Sequence, residues 1–593
     1  MKTQNILITD VGSTTTKTLL LRRVGDRLHI VGASNSPTTV EEPEADVRIG
    51  LLKSIRALEK ELNLALLDND KPREEYGFMA TSSAGGGLAM VVTGLTQAVT
   101  AKSATKAAAA AGGIVLDVLA IDDGRTPYEK AVALRRLRPD MVLLSGGLDG
   151  GDVVNNVRFV SLLKSAGLRP KFGGDAKLPV VFAGNIEARG IVKRLLEDEV
   201  DLRFSPNLRP AFDKENIAPV REIIHELFIK NVMANAPGYS SLLEWSGRQI
   251  LPTPSAVEGI LALFARDSGK TVLMFDIGGA TTDVFSSHEG RITRTVCANY
   301  GMSYSISNVM AEAGVTNIKR WIPNNLSEED LRDKIANKTL NPTSLPVSEE
   351  DFELEWAAAR EALRLSLDVH IDSATTVGEL GLGEHIHRFL DRDERIKGMF
   401  TETPTVTRSN IDVVIGAGGV LSKCPSPKAA MMMLVDSTQL ERMTELYIDN
   451  QFVSPHLGMI AQHEPDMALS AFKEVCLKRL GVAVPLTGKY RAGRKACEVH
   501  WTSAGFSGSS EIAWGELLLI QASGNEEVAV RFAPSSGCDS GVGSGRKNEV
   551  LLTGGAAGIL IDGRGRPIVF MEKPEERTRQ SASWKQMLKE VKR

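Results

Sequence analysis

Short β-branched runs that end in glycine recur along the first 430 residues: ILITDVG at 6–12, MVLLSGG at 141–147, PVVFAG at 179–184, VLMFDIGG at 272–279 and DVVIGAGG at 412–419. Between them lie stretches with helical apolar spacing, among them 97–111, 186–198 and 255–266. This alternation predicts α/β layers with buried, mostly parallel strands whose carboxyl ends carry ligands. Residues 323–350 are polar and broken by Pro323, Pro342 and Pro346, which predicts an exposed insertion, and 351–398 read as mainly helical. Beyond about 485 the texture changes. Strand-like runs at 498–502, 516–522, 527–532, 550–553, 559–562 and 567–571 alternate with Gly/Ser clusters, so a separate β-rich module is expected there. Within it, ILIDGRGRPIVF at 559–570 reads as a hairpin, and Trp584, Met587, Leu588 and Val591 lie at the spacing of a small amphipathic tail.

Composition narrows the field. The chain has 593 residues, 42% of them hydrophobic and 24% charged, which is ordinary for globular proteins. Lys+Arg number 70 against Asp+Glu 74, a net charge of −4, so there is no generic electrostatic drive toward nucleic acid or an anionic membrane. Aromatics at 5% argue against a base-stacking platform. The five cysteines (Cys297, Cys424, Cys476, Cys497 and Cys538) are odd in number and form no Cys-x-x-Cys pair, which fits a reducing compartment. The N-terminal segment lacks the shape of a signal peptide, and no stretch reaches about 18 uninterrupted apolar residues. A large, cytoplasmic, multi-domain protein without a membrane span is expected.

The chemistry-bearing residues lie in two strand–turn–strand segments, ILITDVGSTTTKTLLLR at 6–22 and VLMFDIGGATTDVFSS at 272–287. Each has a β run, an Asp, a Gly-rich turn with hydroxyl residues and a second β run. Glycine lets backbone N–H groups approach a phosphate, hydroxyls add donors, and Lys17 adds a compact positive charge. Asp10 and Asp276, at the strand ends, are placed to hold Mg²⁺, usually through water. One such segment alone reads equally well as a plain Gly/Thr hairpin; two of one plan, 266 residues apart, do not. A third run, IDVVIGAGGVLSKCP at 411–425, ends in Gly416, Gly418 and Gly419 but has Leu421 where a dinucleotide fingerprint has its last glycine. No P-loop pattern occurs.

This order of elements resembles the actin-like ATPases: sugar kinases, DnaK-type chaperones and actin. Asp10, Gly12, Ser13, Thr14 and Lys17 match the first phosphate motif of that superfamily. Asp276, Gly278, Gly279, Thr281, Thr282 and Asp283 match the second, and Gly416, Gly418 and Gly419 match the adenosine motif. The fold implied is a two-lobe, ribonuclease-H-like α/β ATPase core with a C-terminal β-rich module. Its expected parts are a first lobe over 1–250, a second over 251–480, the module over 485–575 and the tail over 576–593.

Wording such as PTPSAVEGI…FDIGGATTDVFS, TDVGSTTTK and PVVFAGN resembles the MutL/GlmL family of glutamate mutase accessory proteins, unrelated to the mismatch-repair proteins of similar name. The resemblance covers roughly residues 1–480. It implies ATP and Mg²⁺ as cofactors, adenosylcobalamin-dependent mutase subunits as partners, and action as a reactivating chaperone; a small-molecule kinase is the alternative. AAMMMLVDS at 429–437 lacks the glycine that many actin-like proteins carry in their second connecting helix.

Several features have plainer readings beside the functional ones. Glu258 is tempting as a general base, but Ser255-x-x-Glu258 also reads as a capping box, the preferred reading. SGGLDGGD at 145–152 and AGN at 183–185 either border the nucleotide or a partner surface, or are plain strand-to-helix turns. His385 and His387 are a poor metal pair on a helix. DVHIDS at 368–373 lacks the glycine of the cobalamin-binding signature Asp-x-His-x-x-Gly, so the chain is not expected to carry that cofactor itself.

Overall fold

A computed structural model describes residues 4–12, 15–40, 43–83, 88–111, 113–168, 177–212, 214–228, 237–247, 249–379, 400–524 and 526–589. The chain divides into two compact units. Unit 1 comprises 1–260, 375–403 and 454–471, and unit 2 comprises 261–374, 404–453 and 472–593.

Unit 1 contains strands β1 (Asn5–Val11), β2 (Thr15–Val24), β3 (Arg27–Pro37), β4 (Tyr76–Ser82), β5 (Leu88–Thr93), β6 (Gly113–Leu119), β7 (Met141–Leu144), β8 (Pro179–Phe182), β9 (Asp201–Phe204) and β10 (Ile250–Pro252). Its helices include α1 (Val47–Leu62), α2 (Lys102–Ala110), α3 (Pro127–Leu137), α4 (Val154–Ala166), α5 (Arg189–Leu196) and α6 (Ile217–Leu227). One sheet has the order β3-β2-β1-β4-β10, antiparallel across β3-β2-β1 and parallel across β1-β4-β10. The other, β6-β5-β7-β8-β9, is parallel throughout, the 2-1-3-4-5 order of a doubly wound open sheet. Both sheets feed one core, where Leu7, Val11 and Leu20 meet Met90, Val92, Leu143 and Val181.

Helix α7 (Thr253–Ser268) begins in unit 1 and ends in unit 2. Unit 2 then holds β11 (Val272–Ile277), β12 (Thr282–His288), β13 (Arg291–Cys297), α8 (Glu328–Leu340), α9 (Glu349–Ser373), β14 (Val413–Ala417), α10 (Pro427–Thr438) and β15 (Thr444–Asp449). Here β13-β12-β11 are antiparallel and β11-β14-β15 parallel, the order and directions of the first sheet over again. A five-strand pattern repeated in two units is the ribonuclease-H-like duplication of the actin-like ATPase fold.

Beyond residue 470 come β16 (Leu477–Pro485), β17 (Lys495–Thr502), β18 (Ser507–Ala513), β19 (Leu517–Ile520), β20 (Glu527–Pro534), β21 (Asn548–Thr553), β22 (Gly558–Asp562) and a C-terminal helix, Pro574–Met587. This region is β-rich but continuous with unit 2: β16, β22 and β19 extend the central sheet to eight strands, while β18-β17-β20-β21 form a sheet of their own.

Local expectations fail where tertiary contacts override pattern. Stretch 559–570 is not a hairpin, because β22 pairs with β19 and the residues after it turn inward. There the buried Arg564 and the Arg566 guanidinium reach Asp562 at 2.8 and 3.0 Å, and Arg564 also reaches Asp436 of α10 at 2.8 Å. The insertion over 323–350 contributes α8, with Leu331 and Ile335 buried in the core. The helix read over 351–398 ends at Ser373 and a strand follows at Thr375–Glu379; His385 and His387 lie outside the described residues. Helix α7 starts at Thr253, which puts Ser255 inside it instead of at its cap, and Glu258 pairs with Arg221 at 3.4 Å. The glycine-less 429–437 segment belongs to α10, wholly within unit 2. The chain re-enters unit 1 at 454, in helix α11 (Ser454–Ala461), and that helix has its glycine. A Cβ on Gly458 would overlap the Ala256 carbonyl of α7, so only glycine allows this approach.

Candidate functional site

The first hairpin is built by β1 and β2 in a register that sets Asp10 opposite Lys17 and Val11 opposite Thr16. Gly12 N–H donates to the Thr15 carbonyl at 3.0 Å and closes the turn. Ser13 and Thr14 lie outside the described residues. Because β1, β4 and β10 run parallel, their carboxyl ends deliver Thr81 and Thr253 to Asp10. Both hydroxyls donate to one Asp10 carboxylate oxygen, at 2.7 and 2.6 Å, and the carboxylate is only 3% exposed. Burial pushes its pKa above the usual carboxylate range, against the pull of the two threonines and the Lys17 charge. Sequence reasoning missed Thr81 and Thr253, because neither lies in a glycine-ended β-branched run: Thr81 is in YGFMATS and Thr253 follows the three-residue strand Ile250–Pro252.

Beneath this hairpin lies His456 of α11, fully buried, its Nε2–H donating to the Lys17 carbonyl at 3.3 Å. Its Nδ1 has no partner among the described residues. Burial, then the nearby Lys17 charge, pushes its pKa down to about 3.

The second hairpin repeats the first residue for residue. Asp276 faces Asp283, Ile277 faces Thr282, and Gly278 N–H donates to the Thr281 carbonyl at 2.8 Å. The surroundings differ. Asp276 is half-buried, Gly279 accepts from Ser303 N–H at 2.9 Å, and the Thr282 hydroxyl donates to the Tyr300 carbonyl. Asp283 is held by the buried Arg294, whose Nε and Nη2 donate to one carboxylate oxygen at 3.0 and 2.7 Å.

Strand β14 runs parallel to β11 and brings the glycine loop alongside, Gly416 opposite Phe275 and Ala417 opposite Asp276. A Cβ on Gly416 would press on Leu421 at 2.9 Å. Gly418 has φ +93°, and a Cβ there would overlap the Ile277 carbonyl, the last residue of β11. Gly419 opens onto free space, with nothing within 4 Å of where its Cβ would be. In each unit, then, an aspartate, a Gly-closed turn and hydroxyl side chains are gathered at the carboxyl ends of parallel strands. Such ends are where open α/β sheets bind ligands.

A sequence model described as MutL protein matches residues 6–476. The chain belongs to the MutL protein family. A curated family member, Protein MutL of Clostridium tetanomorphum, is 26% identical over 507 residues, covering 80% of this chain and 99% of the relative. Among solved structures, a glycerol dehydratase reactivase is 11% identical with TM-score 0.25, covering 73% of this chain and 95% of that one. A carbohydrate kinase from Novosphingobium aromaticivorans is 12% identical with TM-score 0.30, covering 81% and 94%. Likenesses at those scores say nothing of function. Among the described residues, no helix is long and apolar enough to cross a membrane.

Proposed function

We propose that this MutL-family chain is an ATP-dependent accessory protein of the cytoplasm that reactivates an adenosylcobalamin-dependent mutase of the glutamate mutase type. The observation that carries the reading is the repeated turn: an aspartate, then Gly N–H bonded to a Thr carbonyl three residues on, in both units. In this reading the Gly12–Lys17 and Gly278–Thr282 segments meet ATP phosphates and Gly416, Gly418 and Gly419 meet the adenosine. Asp283, which belongs to the same motif, is held in its hairpin by Arg294.

The donor set is carboxylate and hydroxyl oxygen, which suits Mg²⁺ held by Asp10 and Asp276 largely through water. Mg²⁺ would supply neutralisation of charge on the transferring phosphoryl group. Asp10 is held in one orientation by Thr81 and Thr253 before any cation arrives, and Asp276 orients the attacking water. In this reading, charge that develops in the transition state is met by backbone N–H groups. Nucleotide state acts on the mutase only so far as the two states bind it differently, since a ligand of equal affinity for both shifts nothing.

The test is ATP hydrolysis without added metabolite, with and without purified glutamate mutase subunits, together with capture of those subunits under ATP and under ADP. Mutase-stimulated hydrolysis and nucleotide-dependent capture support the reading. Hydrolysis that rises only with added metabolites, and no capture under either nucleotide, would favour a small-molecule kinase.

A further inference from the structure

The parallel sheet of unit 1 has a carboxyl edge that the nucleotide reading does not use. The glycines there are explained by close packing: a Cβ on Gly184 would meet the Gly146 carbonyl at 2.6 Å, and one on Gly147 the Asp152 carbonyl at 2.8 Å. Several backbone donors along the edge are already taken. Leu95 N–H donates to the Thr100 hydroxyl, Gln97 N–H to Asp122 and Gly150 N–H to Glu187.

What it does present is apolar. Tyr128 is 78% exposed, Val154 64% and Ile186 46%. Each stands in the first turn after a parallel strand: Tyr128 in α3, Val154 in α4, and Ile186 in the short turn Ile186–Ala188 that leads into α5. Helix α3 packs on α4 and α4 on α5, and each begins beyond the carboxyl end of a parallel strand, so their first turns lie along one edge of the sheet. Single exposed apolar residues need no explanation, but three at equivalent places on adjoining helices form a patch.

Beside each sits a carboxylate. Glu129 accepts from Thr126 N–H at 2.7 Å, Asp152 from Asn155 N–H at 3.0 Å, and Glu187 from Gly150 N–H at 3.1 Å. None of the three forms an ion pair with Lys or Arg among the described residues; nearby Arg125 and Lys130 are committed to Asp117 and Asp123. Hydrogen bonds to nearby backbone N–H groups account for the carboxylates. They do not account for the apolar side chains.

We infer that this edge docks a basic amphipathic helix of a partner protein. Packed helices lie about 8–10 Å apart, so the row spans roughly 20 Å. At 1.5 Å per residue, about 10 Å is close to seven residues of a helix. The fitting segment therefore carries apolar side chains about seven residues apart with Lys or Arg between them. The inference stands apart from the ATP reading, because a chain that bound no nucleotide would present the same edge.

The test uses the full chain and a fluorescent synthetic helix of about 18 residues, Leu at that spacing in a Lys/Ala background, with a Glu-for-Lys version as control. Saturable binding of the Lys helix is expected, weakened by salt. A Tyr128→Ala/Val154→Ala/Ile186→Ala variant should weaken it at least about tenfold. A Leu340→Ala/Leu345→Ala variant, altering exposed residues of unit 2, should leave it unchanged. Single Tyr128→Ser and Val154→Ser variants, each weakening binding by a few-fold, guard against misfolding of the triple. Absence of binding, equal binding of the Glu helix, or equal binding by the triple variant overturns the proposal. So does a patch-dependent association with phosphatidylcholine vesicles, which would make this a lipid-facing surface.

Discussion

At the first hairpin the residue across the strand pair from the aspartate is Lys17, and at the second it is Asp283; the surroundings follow that difference. Asp10 is buried under two threonine hydroxyls, and among the described residues no arginine hydrogen-bonds to it. Asp283 is balanced by Arg294, and Asp276 stays half open to water. One backbone turn thus serves two electrostatic settings. In the first, neutral donors fix a carboxylate that burial disfavours as a charge, leaving it ready for a cation. In the second, an internal ion pair stiffens the hairpin and leaves the aspartate beside it accessible.

If the two settings differ in this way, removing the cation beside each hairpin has different consequences. Arg294→Met leaves Asp283 without its partner and should destabilise unit 2 by about 3 kcal/mol or more. Lys17→Met should cost about 1 kcal/mol or less in stability while weakening ATP binding. Thermal unfolding and ATP titration of both variants decide it, and equal losses of stability would erase the distinction.

The glycine loop offers a sharper contrast over two adjacent residues. Gly418→Ala adds a Cβ at φ +93° that overlaps a backbone carbonyl and should cost about 2–3 kcal/mol. Gly419→Ala meets open space and should change stability by less than about 0.5 kcal/mol while reducing nucleotide affinity. Denaturant unfolding separates the two. At Asp10, Thr253→Val removes one of the fixing hydroxyls and should lower ATP turnover by about tenfold with the fold retained, as steady-state kinetics alongside circular dichroism would show.

The smallest effect compares two buried histidines. His370 in unit 2 shares hydrogen bonds with the Thr295 and Ser286 hydroxyls at 2.9 and 2.8 Å, while His456 in unit 1 has the Lys17 carbonyl for one nitrogen. Burial holds both pKa values down to about 3, whereas an unfolded histidine takes up a proton near pH 6.5. The unfolded state therefore binds more protons between these values, and stability falls as pH drops below about 6.5, by up to about 1.4 kcal/mol per unit for each histidine. Melting temperatures from pH 7 to 5 should fall, and less steeply in His370→Asn.

Much of this was legible in the chain because it is local. Asp10 and Asp276, the Gly12 and Gly278 turns and the alternating β runs are written in contiguous residues. What was not legible depends on partners brought from afar. Thr81 and Thr253 reach Asp10 only through the parallel pairing of β1, β4 and β10. Arg294 claims Asp283 from the next strand. Arg564 and Arg566 turn 563–570 away from a hairpin because Asp562 is buried beside them and Asp436 beside Arg564. Gly458 takes its place by meeting Ala256, about two hundred residues earlier in the sequence.

The central claim is that the two hairpins are the phosphate-binding elements of an ATPase. Its most direct test is Mg-ATP turnover by wild type, Asp10→Asn and Asp276→Asn, with folding checked by circular dichroism. The account predicts that each substitution alone lowers turnover by about a hundredfold or more while the fold persists. Wild-type turnover in a folded Asp10→Asn chain would contradict it.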